Sequence, residues 1–137
     1  MADAKKNFSI LLVDDDRFLI DMYSLKFKEC GCEIQTATSA EDALKLLRGG
    51  LAPDIILLDV TMPGMTGFEL LEVMRKENLA PDATVVVLSN QGQESDLARA
   101  KELGAEGYIV KASAIPSEVL DKTIAFAEKS PKRKGKG

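Results

Sequence analysis

The stretch Ile55-Ile56-Leu57-Leu58-Asp59-Val60-Thr61-Met62-Pro63-Gly64 decides how the rest of the chain is read. Four consecutive apolar residues suit a strand covered on both faces, as in parallel sheets. Asp59 closes the run, and a carboxylate at the carboxyl end of such a strand lies where open α/β sheets place their chemistry. A second run, Ile10-Leu11-Leu12-Val13, ends the same way, in Asp14, Asp15 and Asp16. If the two strands are neighbours, three or four carboxylates converge on one spot. They cannot all stay ionised there without a cation.

Strand-like and helix-like segments alternate five times outward from these runs. The expected strands are Ser9–Val13, Glu33–Ala37, Ile55–Asp59, Thr84–Ser89 and Gly107–Val110. Between them the apolar spacing becomes helical. From Arg17 to Cys30 the polar stripe is Arg17, Asp21, Ser24 and Lys28, and Gly31 suits the position just past a helix end. Ser39 with Asp42 and Thr66 with Glu69 resemble capping boxes. A shorter helix is expected from Asp96 to Leu103, and Pro116 suits the first turn of the last one, which runs to about Lys129. The pattern gives an α/β fold, (βα)5, with parallel strands and right-handed crossovers. A doubly wound, flavodoxin-like sheet of order 2-1-3-4-5 is the natural solution, and it puts the first and third strands side by side.

The 137 residues suit one domain with a single core, and 45% hydrophobic composition is that of a globular chain. The formal net charge is −4, unevenly spread: Lys129–Gly137 holds five of the 18 basic side chains and none of the 22 acidic ones. An acidic body argues against nucleic acid as the main partner. The ends, 1–7 and 130–137, are expected to be disordered, leaving 8–129 as the domain. No apolar stretch approaches the ~20 residues that span a bilayer. The polar Met1–Asn7 segment lacks the apolar core of a secretory signal, so a cytoplasmic location without membrane insertion is expected. Cys30 and Cys32, with no histidine anywhere, make a poor zinc site and read as reduced thiols.

Five features in order carry a resemblance: Val13-Asp14-Asp15, Leu58-Asp59, Met62-Pro63-Gly64 with Gly67, Val87-Leu88-Ser89, and Tyr108-Ile109-Val110-Lys111. On this βα rhythm the chain resembles the receiver domain of two-component response regulators, of the stand-alone, chemotaxis-regulator-like kind, from about Phe8 to Lys129. The resemblance implies a phosphoacceptor switch rather than an enzyme, with Asp59 as acceptor. It implies a Mg2+ site of Asp14, Asp15, Asp59 and the Thr61 backbone carbonyl. Ser89 would contact the phosphoryl group and Lys111 would pair with it. Ser89 and the aromatic Tyr108 would move together as the switch, altering the face of the fourth helix, fifth strand and fifth helix. The implied partners are a sensor histidine kinase or phosphotransfer protein and an unknown output protein. Many members also pair through the last helices, so a homodimer on phosphorylation is a further expectation.

Three departures from the family pattern stand out. Ala112 follows Lys111 where proline is usual, which puts the Lys111 geometry in question, since a cis bond before a residue other than proline costs ~2.5–4 kcal/mol. Asn90 stands where a small residue is common, and Thr61 and Gln91 occupy the positions that modulate dephosphorylation. Each site residue also has a bland reading. Asp14 to Asp16 could cap the next helix, a reading that best fits Asp16. Ser89 could be an incidental strand-end serine, Lys111 a solvated lysine, Tyr108 mere packing, and Gly64 and Gly67 only turn formers. Two other functions remain open: a haloacid-dehalogenase-like phosphatase using Asp14 and Asp16, which leaves Asp59 to Gly64 unexplained, and a receiver-like scaffold that is never phosphorylated.

Overall fold

Five parallel strands form one sheet in the order β2-β1-β3-β4-β5. They are β1 (Ser9–Val13), β2 (Glu33–Ala37), β3 (Ile55–Asp59), β4 (Thr84–Ser89) and β5 (Gly107–Val110). A computed structural model describes residues 8–90, 94–111 and 115–129. The expectations for 1–7, 130–137, Gln91 and Ala112 fall outside the described residues. The helices are α1 (Arg17–Glu29), α2 (Ala40–Arg48), α3 (Gly67–Glu77), α4 (Glu94–Glu102) and α5 (Pro116–Lys129). Sequence order and spatial order thus reverse between β1 and β3, as in flavodoxin-like sheets.

The apolar runs form strands because both of their faces are covered. Every residue of β3 and β4 is buried. Alternate side chains go to opposite sides. Ile10, Leu12, Ile55 and Leu57 meet Ile20, Phe27, Val119 and Ile124 of α1 and α5. Leu11, Val13, Ile56 and Leu58 meet Leu44, Leu47, Leu70 and Leu71 of α2 and α3. A smaller cluster of Val60, Val87 and Ala100 lies beneath α4, with Phe68, Ala105 and Tyr108 packed against it.

Helix starts follow the capping chemistry. Ser39 Oγ accepts from the Asp42 N–H, and Thr66 with Glu69 forms the full reciprocal box. Asp16 caps α1, its Oδ1 accepting from the Phe18 and Leu19 N–H groups. Two readings need correction. Helix α4 begins at Glu94, two residues before the expected start. Ser24, assigned to the polar stripe of α1, has its hydroxyl buried without a hydrogen-bond partner among the described residues. Phe18 and Leu25, in the apolar remainder of that helix, are 72% and 60% exposed. Cys30 and Cys32 are thiols rather than a disulfide.

Gly67 is required for contact and not only for turn geometry. A Cβ there would lie 2.3 Å from the Asp59 carbonyl oxygen and 2.8 Å from Val60 Cα. Both are backbone atoms and cannot rotate away, so the first turn of α3 presses directly on the end of β3. Gly67→Ala is therefore expected to lower stability by about 1–3 kcal/mol through overpacking. The check is the denaturant midpoint at unchanged m value.

Candidate functional site

Strand register brings the acidic tips together. Val13 pairs with Leu58, so Asp14 lies level with Asp59 on the neighbouring strand. Asp59 pairs with Leu88, which places Ser89 one residue beyond it. Ser89 pairs with Val110, and Lys111 follows immediately. Four strand ends therefore deliver Asp14, Asp59, Ser89 and Lys111 to one edge of the sheet. Asp14, Asp59 and Ser89 are buried, while Asp15 is exposed.

One carboxylate oxygen from each of Asp14, Asp15 and Asp59 lies within 4.8 Å of the others. The Lys111 ammonium sits 3.0 Å from Asp14 Oδ2 and 3.5 Å from Asp59 Oδ1. It reaches both carboxylates whatever the bond to Ala112, so the bland reading of Lys111 as a solvated lysine does not hold. Asp14 Oδ1 also accepts the Asp16 N–H at 2.9 Å. Asp59 Oδ1 accepts from the Thr61 N–H and hydroxyl, both at 3.3 Å. Asp16 caps α1 through its Oδ1 and is not one of the three carboxylates that gather here.

Electrostatics follow from this crowding. Burial first, and then the Asp14 charge, push the Asp59 carboxyl up to about 6, against the opposing pull of Lys111 and the Thr61 N–H. For Lys111, burial disfavours the charge, but Asp59 and Asp14 outweigh it and hold the ammonium above its ordinary value. Tyr23 of α1 is buried close enough to feel the same charges, and its hydroxyl is pushed up, chiefly by burial. Tyr23 was missed in the sequence because its spacing reads as plain helix core. Tyr108 is half-buried on β5, against Val60, Val87 and Ala100.

The donor set is all oxygen, three carboxylates with one open to solvent, which fits a hard divalent cation that keeps several waters. Residues 10–124 match the family model of the response regulator receiver domain. The chain belongs to that family. Among relatives of this receiver domain, the transcriptional regulatory protein AfsQ1 of Streptomyces coelicolor is 36% identical over 116 residues, 85% of this chain and 49% of its own length. The response regulator SaeR of Staphylococcus epidermidis is 33% identical over 114 residues, 83% of this chain and 48% of its own length. The chain spans about half the length of both. Solved structures agree in fold. The chemotaxis response regulator CheY4 of Vibrio cholerae has a TM-score of 0.79 at 27% identity, over 88% of this chain and 99% of that one. A CheY-like receiver domain protein from Methanospirillum hungatei has a TM-score of 0.82 at 24% identity, over 96% of this chain and 100% of that one. No helix among the described residues is long and apolar enough to cross a membrane.

Proposed function

We propose that this receiver domain is the phosphoacceptor switch of a two-component relay, taking a phosphoryl group from a phosphohistidine onto Asp59. The observation that carries the reading is the meeting of Asp14, Asp15, Asp59 and Lys111 at one sheet edge. The Thr61 and Lys111 contacts of Asp59 all fall on Oδ1, which leaves Oδ2 for attack on phosphorus. The new bond is Asp59 Oδ2–P and the broken one is P–N, with the imidazole leaving protonated. Asp59 is rigid because it ends a buried strand, so it holds the in-line geometry at little entropic cost.

Asp15 and Asp59 would hold Mg2+ directly, and Asp14 through water, since both Asp14 oxygens already accept hydrogen bonds. A bound Mg2+ would supply charge offset for the phosphoryl oxygens. By analogy with the receiver family, the Thr61 backbone carbonyl would be a further ligand. Lys111 neutralises Asp14 and Asp59 before transfer and turns to the phosphoryl group after it. Ser89 then approaches the new charge, Tyr108 turns inward, and the face of α4, β5 and α5 changes for an output partner. The domain assists its own phosphorylation and dephosphorylation and turns over no other substrate. The donor is a sensor histidine kinase or phosphotransfer protein, and the setting is cytoplasmic.

Incubation with a small phosphodonor and Mg2+ tests the reading. One acid-stable, base-labile label is expected, and a chelator should remove it. Full labelling without any divalent ion contradicts the metal assignment. Label that survives Asp59→Asn but is lost in Asp14→Asn supports the phosphatase alternative.

A further inference from the structure

Helix α4 is lightly attached to the body of the protein. Ala100 is its one buried residue, whereas each other helix buries at least three. One flank of α4, carrying Leu97 and Lys101, faces a cavity of about 240 Å3 that is walled opposite by Gly107, Tyr108 and Phe126. The other flank is held by long side chains that bridge α3 and α4. Arg99 pairs with Glu72, and its guanidinium lies 5.6 Å from the centre of the Phe68 ring. At the helix end, Arg75 Nε donates to the Leu103 carbonyl at 2.8 Å and Nη2 to that of Gly104 at 3.1 Å. Both carbonyls lie just past α4, where the Ala100 and Lys101 carbonyls already accept from the Ala105 and Gly104 N–H groups, so Arg75 ties down from a different helix the turn by which the chain leaves α4.

We propose that these side chains form a clasp that sets the position of α4. Arg75 pins the C-terminal end. Arg99, lying on Phe68 and Glu72, latches the middle. Releasing the latch lets the N-terminal half of α4 swing toward the cavity about the pinned end. Phe68 packs on the same Val60, Val87 and Ala100 cluster as Tyr108, so latch and switch aromatic share a floor. The consequence for signalling rests on the phosphoacceptor reading above: an intact latch favours the resting arrangement, and an open one favours the arrangement that phosphorylation selects.

The test uses the full chain with Glu72→Gln, Arg99→Gln and the double substitution, all at exposed positions, together with Arg75→Met. Native-state hydrogen exchange reads the clasp without any phosphoryl chemistry. Amides of α4 should lose protection three- to tenfold in the latch variants while β3 and β4 keep theirs. The double variant should be no worse than the singles, because one shared interaction is lost. Arg75→Met should expose the last turn of α4 selectively. Unchanged α4 protection, additive losses or losses spread into β4 overturn the clasp. The initial rate of labelling from a small phosphodonor should rise several-fold in the latch variants. A labelled wild type with unchanged rates in the variants overturns the link between clasp and switch. A wild type that takes no label counts against the phosphoacceptor reading, and exchange alone then judges the clasp.

Discussion

Replacing Asp59 with asparagine is expected to abolish phosphodonor labelling and, in the presence of chelator, to make the protein harder to unfold at neutral pH. The stability effect comes from the carboxyl being pushed up to about 6, against 3.8 for the ordinary group. The folded state therefore favours the protonated acid. Below both values the acid is neutral in folded and unfolded chains alike and makes no difference. As pH rises from 4 through 6, the unfolded chain loses its proton first, and wild-type stability falls. Above the folded value the full penalty applies, about 3 kcal/mol at most. An uncharged amide at this position carries no such penalty, so the advantage of Asp59→Asn over wild type should grow across that window and level off near pH 7. Denaturant titrations of both proteins at several pH values measure it. Saturating Mg2+ should shrink the difference, since binding to the native state stabilises wild type by mass action. A wild type that is the more stable of the two at pH 7.5 with chelator present would contradict the account of crowded charge.

Lys111→Met should have the opposite sign and a larger size. The ammonium is the one basic group that contacts both buried carboxylates among the described residues. Its side chain is 9% exposed and Asp14 is fully buried. Removing one partner of such a cluster leaves uncompensated buried charge, at a cost of about 3–5 kcal/mol. Lys111 also holds the Asp59 carboxyl down, so the variant's Asp59 should protonate at a higher pH than wild type's. The loss of stability is then greatest above pH 7 and is partly recovered on acidification, as Asp59 takes up its proton. Labelling should be slowed by orders of magnitude even where the fold is intact. Urea unfolding at pH 5.5 and 8 separates the two effects. An equal loss at both pH values would mean that packing of the lysine stem, and not its charge, supports the site.

Much of this molecule was legible because its information is local. Unbroken apolar runs are long enough for strands and too short for helices, which marks β1, β3 and β4, and the βα rhythm between them places β2 and β5, so all five strands fall where they were expected. Caps at Asp16, Ser39 and Thr66 were legible for the same reason, since a side-chain oxygen two or three residues from the N–H that donates to it needs no tertiary context. The start of α4 was less so: its apolar face is thin and buries only Ala100, which leaves little periodic signal. The exposure of Phe18 and Leu25 is set by the orientation of α1 on the sheet, which their apolar identities do not carry. Gly67 was read as a turn former, and its contact with the Asp59 backbone could not be seen without the crossing of α3 over β3. The Arg75 and Arg99 attachments join positions 27 to 29 residues apart, and surface arginines carry no mark of their partner.

By itself the sequence determined the βα alternation, the burial of β1, β3 and β4 and the carboxylates at the tips of β1 and β3, because hydrophobic period and strand-end position are properties of neighbouring residues. Only the tertiary structure decided that a lysine 97 positions from Asp14 would stand 3.0 Å away from it. That distance depends on strand order and register, which are set by how five elements bury their apolar faces together and not by any one of them.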